Sequence, residues 1–597
     1  MNVKHLLMGV LLMGATTHAA WAGDIHVSAT HGDDNADGTA ATPLRTVHCA
    51  LKMAREWRRL DDARVQGGIN IMLEEGVYRM DKPLYVRPED SGTPESPTVI
   101  CCRQGGEAVM SGALPVTGWQ LADNSRLPSR AKGKVWVAEA PRTGNRMVEL
   151  RQLWVNGRKA HRASLFGEGV MQRMSNFDTA DQSITIPTPD INLDNARQLE
   201  MVVHQRWAIA ILRVKEMKRT EGGMTKVWFH EPESELEFAH PWPQPVIGGE
   251  RGNSSFALVN AIEMLDEPGE WFQDYPSGKI YYYPLVGERM DRAEVMAPAL
   301  TQLVEMAGTR ERTVGHIVFD NIGFEHAAWT RPLHEGLVTL QGGIRFIDGY
   351  KLQVPGLFHK AALENQAWVA RPDAAVGVQF AHNIAFRHCR FEHLGATALD
   401  LRYAVSRAEV AHCRFDDVGG TALLAGYFGE EGFETHIPYR PQVEGDLCSQ
   451  LTIADNSIHD ATNEDWGCVA IGAGYVSDTE IARNVVSHVN YSGICVGWGW
   501  TPLESGMRNN RIVDNQVHDY ARQLYDAGGI YTLSNQPGSV ISGNTIADPY
   551  PAPYATNHRA FCIYFDEATD GYTVGGNHMT KGSYGYNQPG KNLRVND

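Results

Sequence analysis

The stretch that decides the fold runs from Ile481 to Asp566, where a short pattern returns three times. It reads "IARNVVSHVNYSGICVGWGW" (481–500), then "RIVDNQVHDYARQLYDAGGIYTLSNQ" (511–536), then "SVISGNTI" (539–546) followed by "AFCIYFDE" (560–567). Each copy has an apolar strand, an Asn, further apolar residues and a second strand. A repeat of this length that is rich in β-branched residues is typical of one coil per repeat. The pattern therefore predicts a stack of parallel β-coils.

The same Asn continues on both sides of this stretch and marks a regular spacing. Coils this short leave little room for the helix of a βαβ crossover. We expect each Asn to occupy a turn in left-handed geometry and to bond its counterparts above and below. The apolar residues three before and two after an Asn should stack as a narrow core: Ile453, Ile458, Ile481, Val486, Ile512, Val517, Ile541 and Ile546. The Asn positions are 456, 484, 515, 544 and 577.

Upstream of the repeats, the chain changes character twice. After a first strand, Val47, Leu51, Ala54 and Trp57 recur at helical spacing and predict a helix that covers the open end of the stack. From about residue 115 to 285 the strands alternate irregularly, as in "LEMVVHQRWAIAILRVKEM" and "GKIYYYPL". This predicts an inserted antiparallel β-domain. The expected fold is all-β: a parallel β-helix with an N-terminal capping helix (23–114), the inserted domain (115–285) and the main β-helix (286–597).

The first 22 residues are typical of a secretory signal peptide. Lys4 gives a charged start, "LLMGVLLMGA" is a short apolar segment, and "AWA" before Gly23 fits a cleavage site. We expect a periplasmic or secreted protein.

The nine Cys are odd in number and form no CxxC pair, so one disulfide is possible but a disulfide scaffold is not indicated. The formal charge of -17 opposes binding to nucleic acid or to anionic membranes.

Two acidic residues end strands of the repeats and are the candidates for chemistry. Asp526 precedes "AGGIYT", whose two glycines allow a close approach, and Asp566 follows the apolar run "FCIYF". A carboxyl beside apolar residues has a raised pKa, which suits a general acid. The two lie about one to one and a half coils apart, so both are expected to face one groove. The alternative is an ordinary role in turns, where Asp is common.

Aromatic and polar side chains near these acids are candidates for the groove walls. Trp498 and Trp500 in "GWGW" alternate onto one side of a strand, and we weigh a flat platform for a sugar ring against an aromatic core stack. The second-tier wall candidates are Tyr531, Asp465, Trp466, Glu567 and His436. The His residues that recur at coil ends have turn roles, and no HExxH spacing occurs. We predict no metal site and no cofactor.

Several of these motifs together resemble a known group. "NYSGICVGWGW", "LYDAGGIYTLSNQPGS" and "CIYFDEATDGYTVGGN", with the upstream "NAIEMLDEPGEWFQD" and "RQLWVNGRKAHRA", resemble the right-handed parallel β-helix enzymes of glycoside hydrolase family 141. The resemblance runs from about Ile25 to the C-terminus. It implies catalytic Asp residues at Asp526 and Asp566. The family includes an α-L-fucosidase that acts on complex pectin and a xylanase.

The sequence therefore predicts a secreted glycoside hydrolase that acts on a neutral sugar in an oligo- or polysaccharide of plant type, an α-L-fucoside ahead of xylan. Its two carboxyls are Asp526 and Asp566, and it is expected to be a monomer. A polysaccharide lyase on the same scaffold is the first alternative. The stretch 481–566 contains no Lys to serve as its base, which argues against it. A non-catalytic glycan-binding surface protein is the second alternative.

Overall fold

The structure of the chain is a computed structural model. The structure describes residues 23–103, 105–194, 196–240, 242–349, 366–430, 434–580 and 583–596. The predicted signal peptide lies outside the described residues. So does part of a second insertion, residues 327–375, which the sequence places between two repeats of the β-helix.

Three long sheets of parallel strands wrap one continuous core, as the repeats predicted. Their shared feature is that each strand pairs with the equivalent strand of the next coil. The first sheet contains Asp24–Val27, Ile69–Leu73, Thr98–Cys102, Ile317–Asp320, Ala381–Arg387, Val405–Ala411, Thr452–Ala454, Glu480–Ala482, Arg511–Val513, Asn535–Ser542, Asp570–Gly575 and Arg594–Val595. The second contains Gly76–Arg79, Ala108–Ser111, Ile322–Glu325, Arg390–Leu394, Arg414–Val418, Ser457–Ala461, Val485–Val489, Gln516–Val517, Thr545–Ile546 and His578–Met579. The third contains Leu84–Val86, Val304–Ala307, Ala374–Gln379, Thr397–Leu401, Leu423–Ala425, Ile471–Ala473, Ile494–Val496, Ala527–Thr532, Ala560–Phe565 and Tyr584–Tyr586.

The inward residues predicted from the repeats form the core of this parallel β-helix. Ile453, Ile481, Ile512 and Ile541 pair in register on successive coils. All eight predicted positions are at most 1% exposed. Because apolar side chains of one coil rest on those of the next, the core grows by repetition and is not limited by the size of a single compact domain.

The five Asn residues form a buried ladder along the stack. The side-chain amides of the first four, Asn456, Asn484, Asn515 and Asn544, each donate to the side-chain oxygen of the next Asn at 2.9–3.0 Å, and the ladder ends at Asn577. The expected bonding is confirmed, but the expected left-handed geometry of the Asn is wrong. The left-handed residue is the one before each Asn, for example Arg483 (φ 55°) and Asp514 (φ 56°). That residue makes the turn, so the Asn can point its amide along the stack.

The predicted capping helix spans Val47–Arg59 and covers the N-terminal end of the stack. Thr46 caps it, since its side chain accepts a hydrogen bond from the backbone N–H of Cys49. The apolar face is buried as the helical spacing predicted. Among the residues that the structure describes, no helix is long and apolar enough to cross a membrane.

The inserted region forms mostly antiparallel sheets that lie against the β-helix. The chain leaves the stack at Ala113–Pro115, which pairs with Val295–Pro298. Val295–Pro298 also pairs with Trp154–Val155, and that strand pairs in turn with Arg158–Lys159. A five-stranded sheet contains Gln120–Leu121, Trp136–Glu139, His161–Arg162, Glu270–Asp274 and Lys279–Tyr282. A larger sheet contains Gln172–Arg173, Asn176–Asp178, Ser183–Pro187, Glu200–His204, Ile209–Thr220, Met224–Phe229 and Ser255–Val259. The remaining elements are a hairpin, Arg142–Thr143 with Arg146–Met147, and a helix, Glu233–Ala239.

The second insertion joins the same domain, which the sequence did not indicate. After a short helix, Pro332–Glu335, the strands Leu337–Gln341, Ile344–Gly349 and Ala367–Ala370 follow, and the first pairs with Ile209–Thr220. Two distant segments of the chain therefore build one sheet over the β-helix. All nine cysteines are free thiols, and Cys389 and Cys413 are buried in the core.

Candidate active site

Asp526 and Asp566 flank two neighbouring strands of the third sheet. Asp526 comes directly before Ala527–Thr532, and Asp566 comes directly after Ala560–Phe565. These strands are parallel, with Ala527 opposite Ala560. The two acids thus lie one coil apart and at opposite ends of adjacent strands. Both line one cavity of about 780 Å³, called here the carboxylate cavity.

Two tyrosines on these strands connect the acids crosswise. Tyr531 and Tyr564 are in register, with ring centres 5.3 Å apart and planes at 81°. Tyr564, on the strand of Asp566, donates its hydroxyl hydrogen bond to Oδ1 of Asp526 at 3.0 Å. Tyr531, on the strand of Asp526, donates to Oδ2 of Asp566. Each carboxyl is therefore positioned by the strand that carries the other.

The two glycines after Asp526 make this arrangement possible. A side chain at Gly528 would lie 3.1 Å from Cβ of Tyr564. A side chain at Gly529 would lie 2.6 Å from Ile546 and 3.0 Å from the carbonyl oxygen of Cys562. The close approach expected from "AGG" is therefore an approach of the neighbouring coil, which seats Tyr564 beside Asp526.

Burial raises the pKa of both acids. For Asp526 the pKa rises to about 6, first because of burial and then because of the charge of Asp566, and Arg559 and Tyr564 oppose the rise. Nε of Arg559 lies 3.0 Å from Oδ1 of Asp526. For Asp566 burial also raises the pKa, while hydrogen bonds from Tyr531 and from Asn587 (2.6 Å) oppose it. Strongly shifted carboxyls in a cavity are typical of a site for proton transfer.

Four of the predicted wall residues line the carboxylate cavity: His436, Trp500, Tyr531 and Glu567. Nδ1 of His436 lies 2.6 Å from Oε1 of the buried Glu434, and the His436 ring lies 5.4 Å from the ring of Trp500. Trp500, Tyr531 and Glu567 lie here because they belong to the coils of the two acids or to the coil before them, whereas His436 reaches the cavity from a loop four coils before Asp566.

The flat platform predicted for Trp498 and Trp500 does not form. Trp498 is 3% exposed, and its indole N–H donates to Oγ1 of Thr435 at 2.9 Å. The planes of the two indoles differ by 56°. Trp498 therefore belongs to the aromatic core, the alternative that the sequence left open, because the glycines on either side turn the backbone between the two rings. Gly497 and Gly499 both have positive φ.

Asp465 and Trp466 lie elsewhere, which corrects their assignment to this site. Asp465 is 4% exposed, and its Oδ1 accepts the backbone N–H of Gly467 at 3.0 Å. Trp466 lines a separate cavity of about 640 Å³ between the inserted domain and the coils from Glu392 to Trp466, called here the interdomain cavity. Their coil precedes that of Asp566 by three, which is about 14 Å at the spacing of paired strands.

Sequence reasoning missed the walls that come from the inserted domain. Arg206, Trp207 and Trp242 line the carboxylate cavity. The rings of Trp207 and Trp242 are nearly parallel, at 11°, with centres 6.1 Å apart, and the guanidinium of Arg206 lies 4.6 Å from the ring of Trp242. This stacked pair supplies the aromatic surface that had been expected from "GWGW". Only the "QRW" at the bend between two strong strands could have suggested it.

Gln341 is a further residue that the sequence did not single out. It comes from the second insertion and lines the carboxylate cavity. Its amide donates to the hydroxyl of Tyr531 at 2.8 Å and to that of Tyr491 at 3.3 Å. It therefore fixes the tyrosine that holds Asp566. Within the described part of the chain, no group of three or more His, Cys, Asp and Glu is placed to hold a metal ion.

Comparisons with known proteins agree with this architecture. Residues 133–285 match the family model described as the GH141 insertion domain. A solved structure described as a glycoside hydrolase is 40% identical to this chain, covers 96% of each chain and superposes with a TM-score of 0.92. Two more distant structures are a complex of XylC with xylose (11% identity, 93% of this chain and 69% of that one, TM-score 0.40) and a GH136 lacto-N-biosidase from Eubacterium ramulus (10% identity, 96% and 68%, TM-score 0.32). No match was found among curated proteins.

Proposed function

Because this chain belongs to glycoside hydrolase family 141 and is a glycoside hydrolase, we propose that Asp526 and Asp566 are its two catalytic carboxyls. The observation that carries the proposal is that both acids line one cavity with raised pKa values. Hydrolysis of a glycoside uses one protonated carboxyl to release the leaving oxygen and one carboxylate to act as nucleophile or base.

Asp526 is the proton donor in this proposal and Asp566 the carboxylate. The pKa of Asp526 is raised to about 6, first by burial and then by the charge of Asp566, which suits it to hold the proton. The bonds from Tyr531 and Asn587 favour the charged form of Asp566. Asp526 protonates the glycosidic oxygen, and Asp566 attacks the anomeric carbon or removes a proton from water. If Asp566 attacks the carbon, Asp526 regains its proton from the water that then hydrolyses the glycosyl-enzyme. If Asp566 activates water instead, Asp526 regains its proton from solvent.

The proposed substrate is a neutral sugar in a plant-type polysaccharide, an α-L-fucoside ahead of xylan. The preference for a fucoside rests on the resemblance described for the sequence. The stacked Trp207 and Trp242 supply a flat apolar surface of the kind that binds the C–H face of a sugar ring. Arg206 and Glu567 add hydrogen-bonding groups for hydroxyls at the wall of the cavity.

The test compares Asp526→Asn and Asp566→Asn on aryl α-L-fucosides and aryl xylosides whose leaving groups differ in pKa. Loss of the proton donor should lower kcat by about 10²–10⁴-fold for a poor leaving group and much less for dinitrophenol. Asp566→Asn should lose activity on every substrate, and added azide should restore part of it. Full activity of either folded variant would refute the site, and the reverse pattern would exchange the two roles.

The same assays on pectin fragments and xylan separate the remaining alternatives. An unsaturated, ultraviolet-absorbing product would identify a lyase, and binding without turnover over the whole panel would identify a glycan-binding protein. Product stereochemistry followed by NMR decides between retention and inversion.

We further propose export of the protein and a monomeric state. The charged start, short apolar segment and "AWA" site at 1–22 support cleavage before Gly23. N-terminal sequencing of protein from the periplasm or medium should begin at Gly23. A mature protein that retains Met1 in the cytoplasm would contradict this, and light scattering checks the monomer.

A further inference from the structure

The interdomain cavity is separate from the carboxylate cavity. The bend at residues 205–208 of the inserted domain rests on the turn that carries Trp466. A side chain at Gly467 would lie 3.2 Å from Cα of Ala208, so the two surfaces are in direct contact there. The lining residues described for the two cavities do not overlap. The coil of Asp417 precedes that of Asp566 by four, which is about 19 Å at the spacing of paired strands.

One wall of the interdomain cavity is apolar. Val202 and Ile211 are opposite each other in the antiparallel sheet of the inserted domain, and Ala257 and Val259 continue the same face. Trp466 is half-buried and adds an indole from the β-helix side. Such a wall fits the C–H face of a sugar ring and contributes no charge.

The opposite wall is polar and held in place before any ligand binds. Asp417 accepts hydrogen bonds from the indole of Trp154 (2.7 Å), the ammonium of Lys159 (2.8 Å) and the amide of Asn463 (2.9 Å), and it pairs with Nδ1 of His393 at 2.8 Å. Because Nδ1 of His393 bonds Asp417, Nε2 is the ring nitrogen that can form a hydrogen bond with a ligand. The His393 side chain is 24% exposed.

The charges around the interdomain cavity compensate one another. Arg151 and Arg162 share the buried carboxylate of Glu200, at Arg162–Glu200 distances of 2.7–2.8 Å. Arg414 pairs with Asp416 and Glu392. An anion would therefore find cations that are already paired, whereas hydroxyl groups can donate to the carboxylates and to Nε2 of the neutral His393 ring.

We propose that the interdomain cavity is a second carbohydrate-binding site for one or two units of a neutral glycan. Its volume of about 640 Å³ lies within the range of small-ligand sites. Trp466 and the sheet face hold the apolar face of the sugar. His393 bonds its hydroxyls together with Glu464, which also lines this cavity and whose Oε2 lies 3.9 Å from Nε of Arg151. This goes beyond the proposed function, since the site binds glycan without cleaving it.

The experiment follows the indole N–H signal of Trp466 by NMR in ¹⁵N-tryptophan-labelled protein, assigned with Trp466→Phe. L-fucose, D-xylose, D-galactose and xylobiose are the neutral probes, and D-galacturonate and inorganic phosphate are the charged ones. The Asp526→Asn, Asp566→Asn double variant is used so that turnover does not interfere. We expect a saturable shift with at least one neutral probe. Glu464→Gln should weaken that binding at least 5-fold, while Glu409→Gln, a matched change on the outer surface of the β-helix, leaves it unchanged.

Several outcomes would overturn the proposal. They are no shift of the Trp466 signal up to 50 mM of every neutral probe, a shift with galacturonate or phosphate alone, and equal binding by Glu464→Gln and the parent. The signal reports on a cavity that holds neither catalytic acid. Loss of hydrolysis in the catalytic variants therefore tests the proposed function separately.

Discussion

At the scale of single residues, side chains from the neighbouring strands determine the position and the pKa of each of the two acids. Asp526 has an arginine and a tyrosine, and Asp566 has a tyrosine and an asparagine. Burial raises the pKa of both acids, and their different hydrogen-bonding partners lower each pKa again in part. Two chemically identical side chains can thereby hold different protonation states at one pH.

Asp526→Asn should stabilise the protein at neutral pH. The folded pKa of Asp526 is about 6 and the reference value is 3.8. Its contribution to stability is therefore present below pH 3.8 and lost as the pH rises through 6. The variant should gain about 1–3 kcal/mol over the parent at pH 7.5 and little at pH 4. Urea unfolding at the two pH values measures this difference.

Asp455→Asn is the matched control, and its effect on stability at pH 7.5 should have the opposite sign. Arg483 lies 2.9 Å from Asp455 and lowers its pKa. Stability from Asp455 is present above its reference pKa and lost as the pH falls through the folded value. The control variant should lose a little stability at pH 7.5. An Asp526→Asn protein that is also less stable at pH 7.5 would contradict the raised pKa.

Tyr531→Phe should move the acidic limb of the pH profile of kcat/KM to higher pH. The Tyr531 hydroxyl lowers the pKa of Asp566, so its removal leaves the carboxyl protonated over a wider range. Tyr564→Phe should instead move the alkaline limb up, because its hydroxyl lowers the pKa of Asp526. Profiles of the two variants on one aryl glycoside provide the comparison. Tyr572→Phe, in the core, serves as the control and should leave both limbs of the profile at the same pH as in the parent.

At the scale of elements, the Asn ladder holds the turns of successive coils in register. Every interior Asn donates to the next Asn and to a backbone carbonyl of a neighbouring coil, as Asn515 does to Asn544 (3.0 Å) and to Ile481 (2.9 Å). Its oxygen receives the amide of Asn484. The ladder therefore fixes the height and register at which the third sheet presents Asp526 and Asp566.

Asn515→Ala should destabilise the protein by about 2–4 kcal/mol, because it leaves buried donors and acceptors without partners. Asn577→Ala, at the half-buried end of the ladder, removes fewer bonds and should cost less than half as much. Urea unfolding of both variants gives the difference. Equal losses at the two positions would show that the ladder does not act as a series of buried bonds.

At the scale of the whole molecule, the inserted domain completes the site that the β-helix begins. The bend at 205–208 brings Arg206 and Trp207 over the carboxylate cavity, and Trp242 stacks on Trp207. The buried ion pairs of Arg151 and Arg162 with Glu200 lie within the same domain. In the proposed mechanism the coils supply the two carboxyls, and the insertion supplies the surface on which a sugar rests.

Trp242→Ala should therefore raise KM for a glycan substrate by up to about 10-fold while kcat changes little, since a lost aromatic contact is worth roughly 0.5–1.5 kcal/mol. Trp242 is 37% exposed, so its removal should leave the melting temperature nearly unchanged. Trp228→Ala, on the same domain beside Lys226 and outside the carboxylate cavity, is the matched control. A selective loss of kcat would place Trp242 in the chemical step instead.

The sequence by itself determined the coils, the Asn ladder, the capping helix and the pair of acids. These features repeat at short intervals, and a one-residue slip would turn every apolar side chain outward, so local pattern is enough to specify them. It also predicted Trp500, Tyr531 and Glu567 beside the acids, and they line the same cavity, since neighbours in a coil stack are neighbours in space. His436 lines that cavity too, but from a loop four coils before Asp566.

Only the tertiary structure decided which walls close the site. Trp207, Trp242 and Gln341 reach the acids through two insertions whose folding depends on contacts between residues more than a hundred positions apart, such as Ala210 with Val338. It also buried Trp498 and moved Trp466 to a different cavity. Periodicity carries no information about where an irregular domain docks, because docking is set by the fit of two finished surfaces.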